Sequence, residues 1–156
     1  MARKLTAVDV CEVTGYSRHQ LQALLCDLSP YAERGTLPRV AREFRAHDLH
    51  VFCVVHALEE RLGMKRSHVI LIGQQVHKAL SGPRKVNPKA RLLISLYPPL
   101  VTYLEAASVE GEGLLVSLGP VFETVDCYLS CDDLESQTSL HLGPDLVVNR
   151  RKRGQR

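Results

Sequence analysis

Tryptophan is absent, and only three phenylalanines and five tyrosines occur among the 156 residues. Proteins that hold single-stranded nucleic acid stack its bases on aromatic rings, so this scarcity argues against that mode. No run reaches the roughly 18–20 uncharged apolar residues that a membrane helix needs, and no membrane partner is expected. The opening MARKLTAVDV has no apolar signal core, which gives the expectation of an intracellular, cytoplasmic protein. Catalytic signatures are missing as well: there is no P-loop, G-x-S-x-G, H-E-x-x-H or G-x-G-x-x-G. Gly111-Glu112-Gly113 reads as a turn, and Asp132, Asp133 and Glu135 read as a solvated loop. The chain is therefore expected not to be an enzyme and to use no cofactor.

What is present is a globular composition, 45% hydrophobic and 24% charged, with enough apolar mass for one ordinary domain or two small ones. The net charge of +3 permits nucleic-acid binding without establishing it. The placement of charge says more. Arg18, Arg34, Arg39, Arg42 and Arg45 crowd the first third, NRRKRGQR closes the sequence, and acidic residues thicken over 105–135.

Residues 5–28, LTAVDVCEVTGYSRHQLQALLCDL, predict two short helices around a tight turn. Thr6 opens the first, with Asp9 three residues on, and Gly15 supplies the positive φ that the turn demands. Ser17 opens the second, and Gln20 completes the S-x-x-Q capping box. Leu21, Leu24, Leu25 and Leu28 form an apolar stripe, while Arg18, His19 and Gln22 face away from it. Such a unit can pack its stripe on a neighbour and lower the polar start of its second helix into a DNA major groove.

Pro30 ends that second helix. Residues 31–41, with Gly35 and Pro38, predict a hairpin or extended loop. A third helix is expected over 46–62, with Leu49, Phe52, Cys53, Val55, His56, Leu58 and Leu62 on its apolar face and Gly63 behind it. Ser67 is expected to cap a fourth over 68–80, with Val69, Ile72, Val76 and Leu80 inward. SGPRKVNP breaks all periodicity. Beyond it, RLLISLYPPLVTYLEAA and GLLVSLGPVFETVDCYLSC predict three or four antiparallel strands, with turns at Pro98-Pro99, Gly111–Gly113 and Gly119-Pro120. SLHLGPDLVV could add a last short pair. The expected class is thus α+β, divided into a helical domain (1–81), a linker (82–90), a β-rich module (91–149) and a disordered basic tail (150–156).

Several of these residues carry a resemblance. Thr14-Gly15-Tyr16-Ser17 is similar to the T/S-G-V-S turn of MerR-type transcription regulators, and Leu21 falls on the leucine of their recognition helix. Arg42-Glu43-Phe44-Arg45-Ala46-His47-Asp48-Leu49 matches the Arg-x-Tyr-x-x-x-Asp-Leu exit of their wing. Gly63 and Met64-Lys65-Arg66-Ser67 match the break between their third and fourth helices. The resemblance covers about residues 5–80 and implies an N-terminal winged helix-turn-helix of about four helices with a wing. Gln22-Ala23-Leu24 stands where the family places Arg-Tyr-Tyr, and Pro83 and Pro88 forbid its long coiled coil. Those departures suggest a divergent regulator of the kind that phages and prophages encode.

On this reading Tyr16, Ser17, Arg18, His19 and Gln20 start a recognition helix. Arg18 is expected to fork onto guanine, Gln20 or Gln22 to pair with adenine, and Ser17 with the helix N-terminus to meet a phosphate. Arg34, Arg39, Arg42 and Arg45 are expected to touch phosphates or the minor groove. Lys65 and Arg66 are expected to add a phosphate contact, and Arg150, Arg151, Lys152, Arg153 and Arg156 non-specific affinity. The function expected is a sequence-specific double-stranded DNA-binding transcription regulator that acts as a homodimer through its β module. RNA polymerase or another regulator is a further candidate partner. Two alternatives stay open: an excisionase-like architectural DNA-bending protein, and a regulator that senses a ligand or protein through the β module.

Five cysteines without small-scaffold spacing point to thiols rather than bridges. Cys11, Cys26 and Cys53 are expected to pack on apolar helix faces. Cys127 and Cys131, followed by His141, invite a metal or redox role, but C-x3-C is not zinc-knuckle spacing and in a strand both side chains share one face. His47 and His50 lack a well-placed acidic third ligand, so no metal site is expected.

Overall fold

The computed structural model describes residues 4–34, 41–82, 87–105 and 111–138. The hairpin expected over 31–41 falls partly outside that range, and Arg39, the strand pair expected in SLHLGPDLVV and the basic tail fall wholly outside it. The described residues form an α+β fold of five helices and a three-stranded antiparallel sheet. The chain divides into two compact units, Met1–Val125 and Asp126–Arg156.

Helix α1 (Ala7–Thr14) begins where Asp9 turns its carboxylate back on Thr6. The Thr6 amide and hydroxyl donate to Asp9 Oδ2 at 2.6 and 2.8 Å. It ends at Gly15, whose φ of +84° lets its amide reach Cys11 O at 2.8 Å, a left-handed C-terminal cap. Helix α2 (Arg18–Asp27) follows after three residues, Gly15, Tyr16 and Ser17. Ser17 and Gln20 satisfy each other there, Gln20 N donating to Ser17 Oγ at 3.2 Å and Ser17 N to Gln20 Oε1 at 2.9 Å. Leu21, Leu24, Leu25 and Leu28 are all buried, as their spacing demands.

Helix α3 (Ala46–His56) continues into a π turn (Ala57–Arg61) before Gly63 reverses the chain. Val51 and Val54 are fully buried alongside Leu49, Phe52, Val55 and Leu58, so α3 is a core helix enclosed on more than one face. Leu62, expected on that face, is 46% exposed. Helix α4 (Arg66–Leu80) starts on Lys65 rather than Ser67, and Arg66 is held in its first turn by an ion pair with Glu59. The chain ahead of α1 is tied to the chain entering α3 by a bridge, Phe44 N donating to Leu5 O at 2.9 Å. Phe52 gathers the few aromatic rings: Tyr31 lies 4.8 Å from it and Phe44 5.6 Å. Pairs at such offsets contribute about 0.5–1.5 kcal/mol each beyond their buried area.

Strand β1 (Arg91–Leu96) lies between β2 (Pro99–Leu104) and β3 (Leu114–Ser117), both antiparallel to it. Leu96 pairs with Pro99, so the hairpin turn is Tyr97-Pro98. Leu92 and Ile94 alternate into the core beneath α4, which packs on β2 and β1. Gln75 Nε2 fastens that contact by donating to Pro99 O at 2.6 Å.

Two expectations are corrected: the strand expected in PVFETVDCYLSC and the loop expected at Asp132, Asp133 and Glu135 are instead parts of helix α5 (Gly119–Thr138). The partial alternation in VFETVDCYLSC misled, because Val121 and Val125, both buried, are four apart and share a helical face. Pro120 is tolerated in a first turn, where no intrahelical acceptor awaits its missing N–H. Cys127 and Cys131 therefore sit one helical turn apart and exposed.

A candidate DNA interface at the start of helix α2

The capping box leaves helix α2 with a defined polar tip. Ser17 N and Gln20 N are used inside the box, whereas the amides of Arg18 and His19, the first two helical residues, have no intrahelical acceptor. The side chains of Arg18, His19, Gln20 and Gln22 are exposed. Arg18 and Gln22 line a groove of about 300 Å³ together with Arg42 and Ala41. Val8, Leu21 and Leu25 supply its apolar lining. The fold thus brings three of the sequence-predicted residues, Arg18, Gln22 and Arg42, around one opening.

Arg42 is fixed there rather than loose. Its Nη2 donates to Arg34 O at 3.2 Å, and its Nη1 is buried with no hydrogen-bond partner. Beside it Glu43 is engaged by Lys4 at 2.6 Å, an exposed pair of little energetic weight. Arg45 and Lys65 are exposed at the starts of α3 and α4. Arg34 is half-exposed, 3.8 Å from Asp48 Oδ1 and 5.0 Å above the Tyr31 ring.

Two of the predicted residues are spent inside the protein. Tyr16 is 5% exposed, and its hydroxyl donates to Glu59 Oε2 at 2.6 Å while its ring meets His56 edge-on at 4.8 Å. Burial, and then the bond to Glu59, raise the Tyr16 pKa well above its ordinary value. Arg66 grips the same carboxylate, its Nη2 donating to Glu59 Oε2 at 3.1 Å. These residues anchor the turn before α2 to the π turn. No pattern in the sequence signals this, because Glu59 lies 43 residues from Tyr16 on a helix with no motif of its own. Cys26 also departs from expectation: it is exposed on α2, while Cys11 and Cys53 are half-buried.

No protein-family model, curated protein or solved structure matches the chain. Among the described residues no helix is long and apolar enough to cross a membrane.

Proposed function

We propose that the protein is a sequence-specific regulator that binds double-stranded DNA through the tip of α2, the helix-turn-helix pair α1–α2 serving as its reading head. The observation that carries this reading is the groove shared by Arg18, Gln22 and Arg42, beside a helix N-terminus with outward amides. Arg18 and Gln22 offer the forked and amide geometries that read guanine and adenine edges. Arg42, held by a backbone carbonyl, supplies charge to the phosphates instead. Arg34, Arg45 and Lys65 add to that field. Tyr16 and Arg66 act indirectly, by fixing the turn on Glu59.

Homodimerisation through the sheet is part of the proposal. Tyr97, Leu100 and Leu115 are 80%, 55% and 37% exposed, an apolar set on a sheet whose outer strands β2 and β3 each have one edge unpaired among the described residues. Apolar residues near an open edge favour pairing with another chain.

The test is a gel shift on the DNA flanking the protein's own coding region, at two salt concentrations. Specific complexes that weaken with salt yet survive competitor DNA support the reading. Arg18→Ala should lose roughly 1–3 kcal/mol on the preferred site and relax its choice of base. Arg42→Ala should weaken all DNA alike and lower the salt slope by about 1. Equal effects on specificity would refute this division of labour, and no shift at all would refute the function.

A further inference from the structure

Where α3 and α4 cross, His47, Asp48 and His77 meet, and one ligand atom from each lies within 4.8 Å of the others. His77 Nε2 is 4.0 Å from Asp48 Oδ1, and the two imidazoles pack edge-on with centroids 4.6 Å apart. Nε2 of both histidines is shut off from solvent and has no hydrogen-bond partner. Buried imidazole nitrogens are ordinarily satisfied, and two unsatisfied ones on rings beside a buried carboxylate leave a hole of polar chemistry. We propose that His47, Asp48 and His77 form a binding site for a divalent cation of the zinc class.

The chemistry of the set fits. Two neutral imidazoles and one carboxylate are borderline-to-hard ligands suited to such an ion. Burial, the largest influence on each, pulls both histidine pKa values below the ordinary 6.5, so both rings present lone pairs at neutral pH. Bonds of about 2.0–2.1 Å in a tetrahedron separate ligand atoms by roughly 3.3 Å, so the trio needs to close by about 1 Å. The surroundings hold the ligands as metal sites require. Tyr31 Oη donates to Asp48 Oδ1 at 2.7 Å and Arg45 N to Oδ2 at 2.8 Å, while the Leu80 backbone bonds to the His47 ring. Arg34, 3.8 Å from Asp48 Oδ1 and half-exposed, is the resident cation that an incoming ion displaces. His50 takes no part: its ring packs on Phe122 at 5.3 Å. This site stands independently of the DNA reading.

Titration of the metal-free full-length chain with zinc sulfate should show one ion per chain and an upward shift of the unfolding temperature. His77→Gln and His47→Gln should each abolish both effects, whereas the double variant Cys127→Ser/Cys131→Ser should retain them. Arg34→Gln should tighten binding severalfold, because it removes the competing cation. Cobalt in place of zinc should give ligand-field bands without thiolate charge transfer. Nitrogen-15 spectra of the wild-type imidazoles, which need no variant to fold, should show zinc moving Nε2 of His47 and His77 together. The proposal is overturned by the absence of stoichiometric binding, by binding that survives His77→Gln, by a thiolate band lost in the cysteine variant, or by imidazole signals that zinc leaves in place.

Discussion

Gly73 lies in the buried face of α4, and a methyl group placed on it would overlap Leu28 Cδ1 and meet Leu28 Cγ at 3.2 Å. The Ser29 carbonyl oxygen closes another side at 3.4 Å. Leu28 ends α2 and is itself fully buried, so it cannot swing into water. It must leave its rotamer or push its neighbours, an overpacking cost of about 1–3 kcal/mol. Against that, alanine is about 0.8–1.0 kcal/mol better than glycine inside a helix. Gly73→Ala should therefore destabilise the protein by about 1 kcal/mol, the reverse of its effect in an exposed helix. Leu28→Ala alone should cost about 2–5 kcal/mol. In that background the obstruction is gone, and Gly73→Ala should become stabilising by about 1 kcal/mol. The double-mutant cycle then gives a coupling near 2 kcal/mol, within the span usual for touching residues. Urea unfolding of the four proteins measures this as shifts of midpoint at constant slope. A Gly73→Ala protein more stable than wild type, or a coupling indistinguishable from zero, would show that α2 does not dock on α4 as described. The outcome bears on the interface, because this contact sets the far end of the helix whose tip carries Arg18.

Three further outcomes are expected. Ser17→Ala removes the acceptor for Gln20 N and should cost about 1 kcal/mol in thermal unfolding, with Ser17→Asp keeping most of it; equal losses from both would discount the cap. The metal-free protein should lose stability as pH falls through about 6.5 and below, because the unfolded chain then takes up protons that buried His47 and His77 resist. His77→Gln should flatten that acid-side slope, and an unchanged slope would remove these histidines from the account. Burial pushes Cys53 up to about 11 from an ordinary 9.0, a two-unit displacement that thins its thiolate about a hundredfold. At pH 8 iodoacetamide should therefore label exposed Cys26 long before Cys53, as mass spectrometry of peptides would record; comparable rates would contradict the packing around α3.

Local chemistry accounts for what could be read from the order of residues alone. Thr6 with Asp9, Gly15, and Ser17 with Gln20 each act within four residues, so both helices and their turn were legible, as was the burial of the Leu21–Leu28 stripe. The exposure of Arg18 and Gln22 follows from the same periodicity. Strands β1, β2 and β3 were visible in their apolar content and in the turns between them. Helix α5 was not, because a short apolar segment with a proline at its head suits either period until its neighbours choose. Long-range encounters were beyond any pattern. Glu59 collecting Tyr16 and Arg66, Arg42 crossing to the groove of α2, and His77 arriving beside His47 and Asp48 all depend on how α3 packs against its neighbours. Side chains on separate elements carry no mutual signal in sequence; only the packed helices give them a common address.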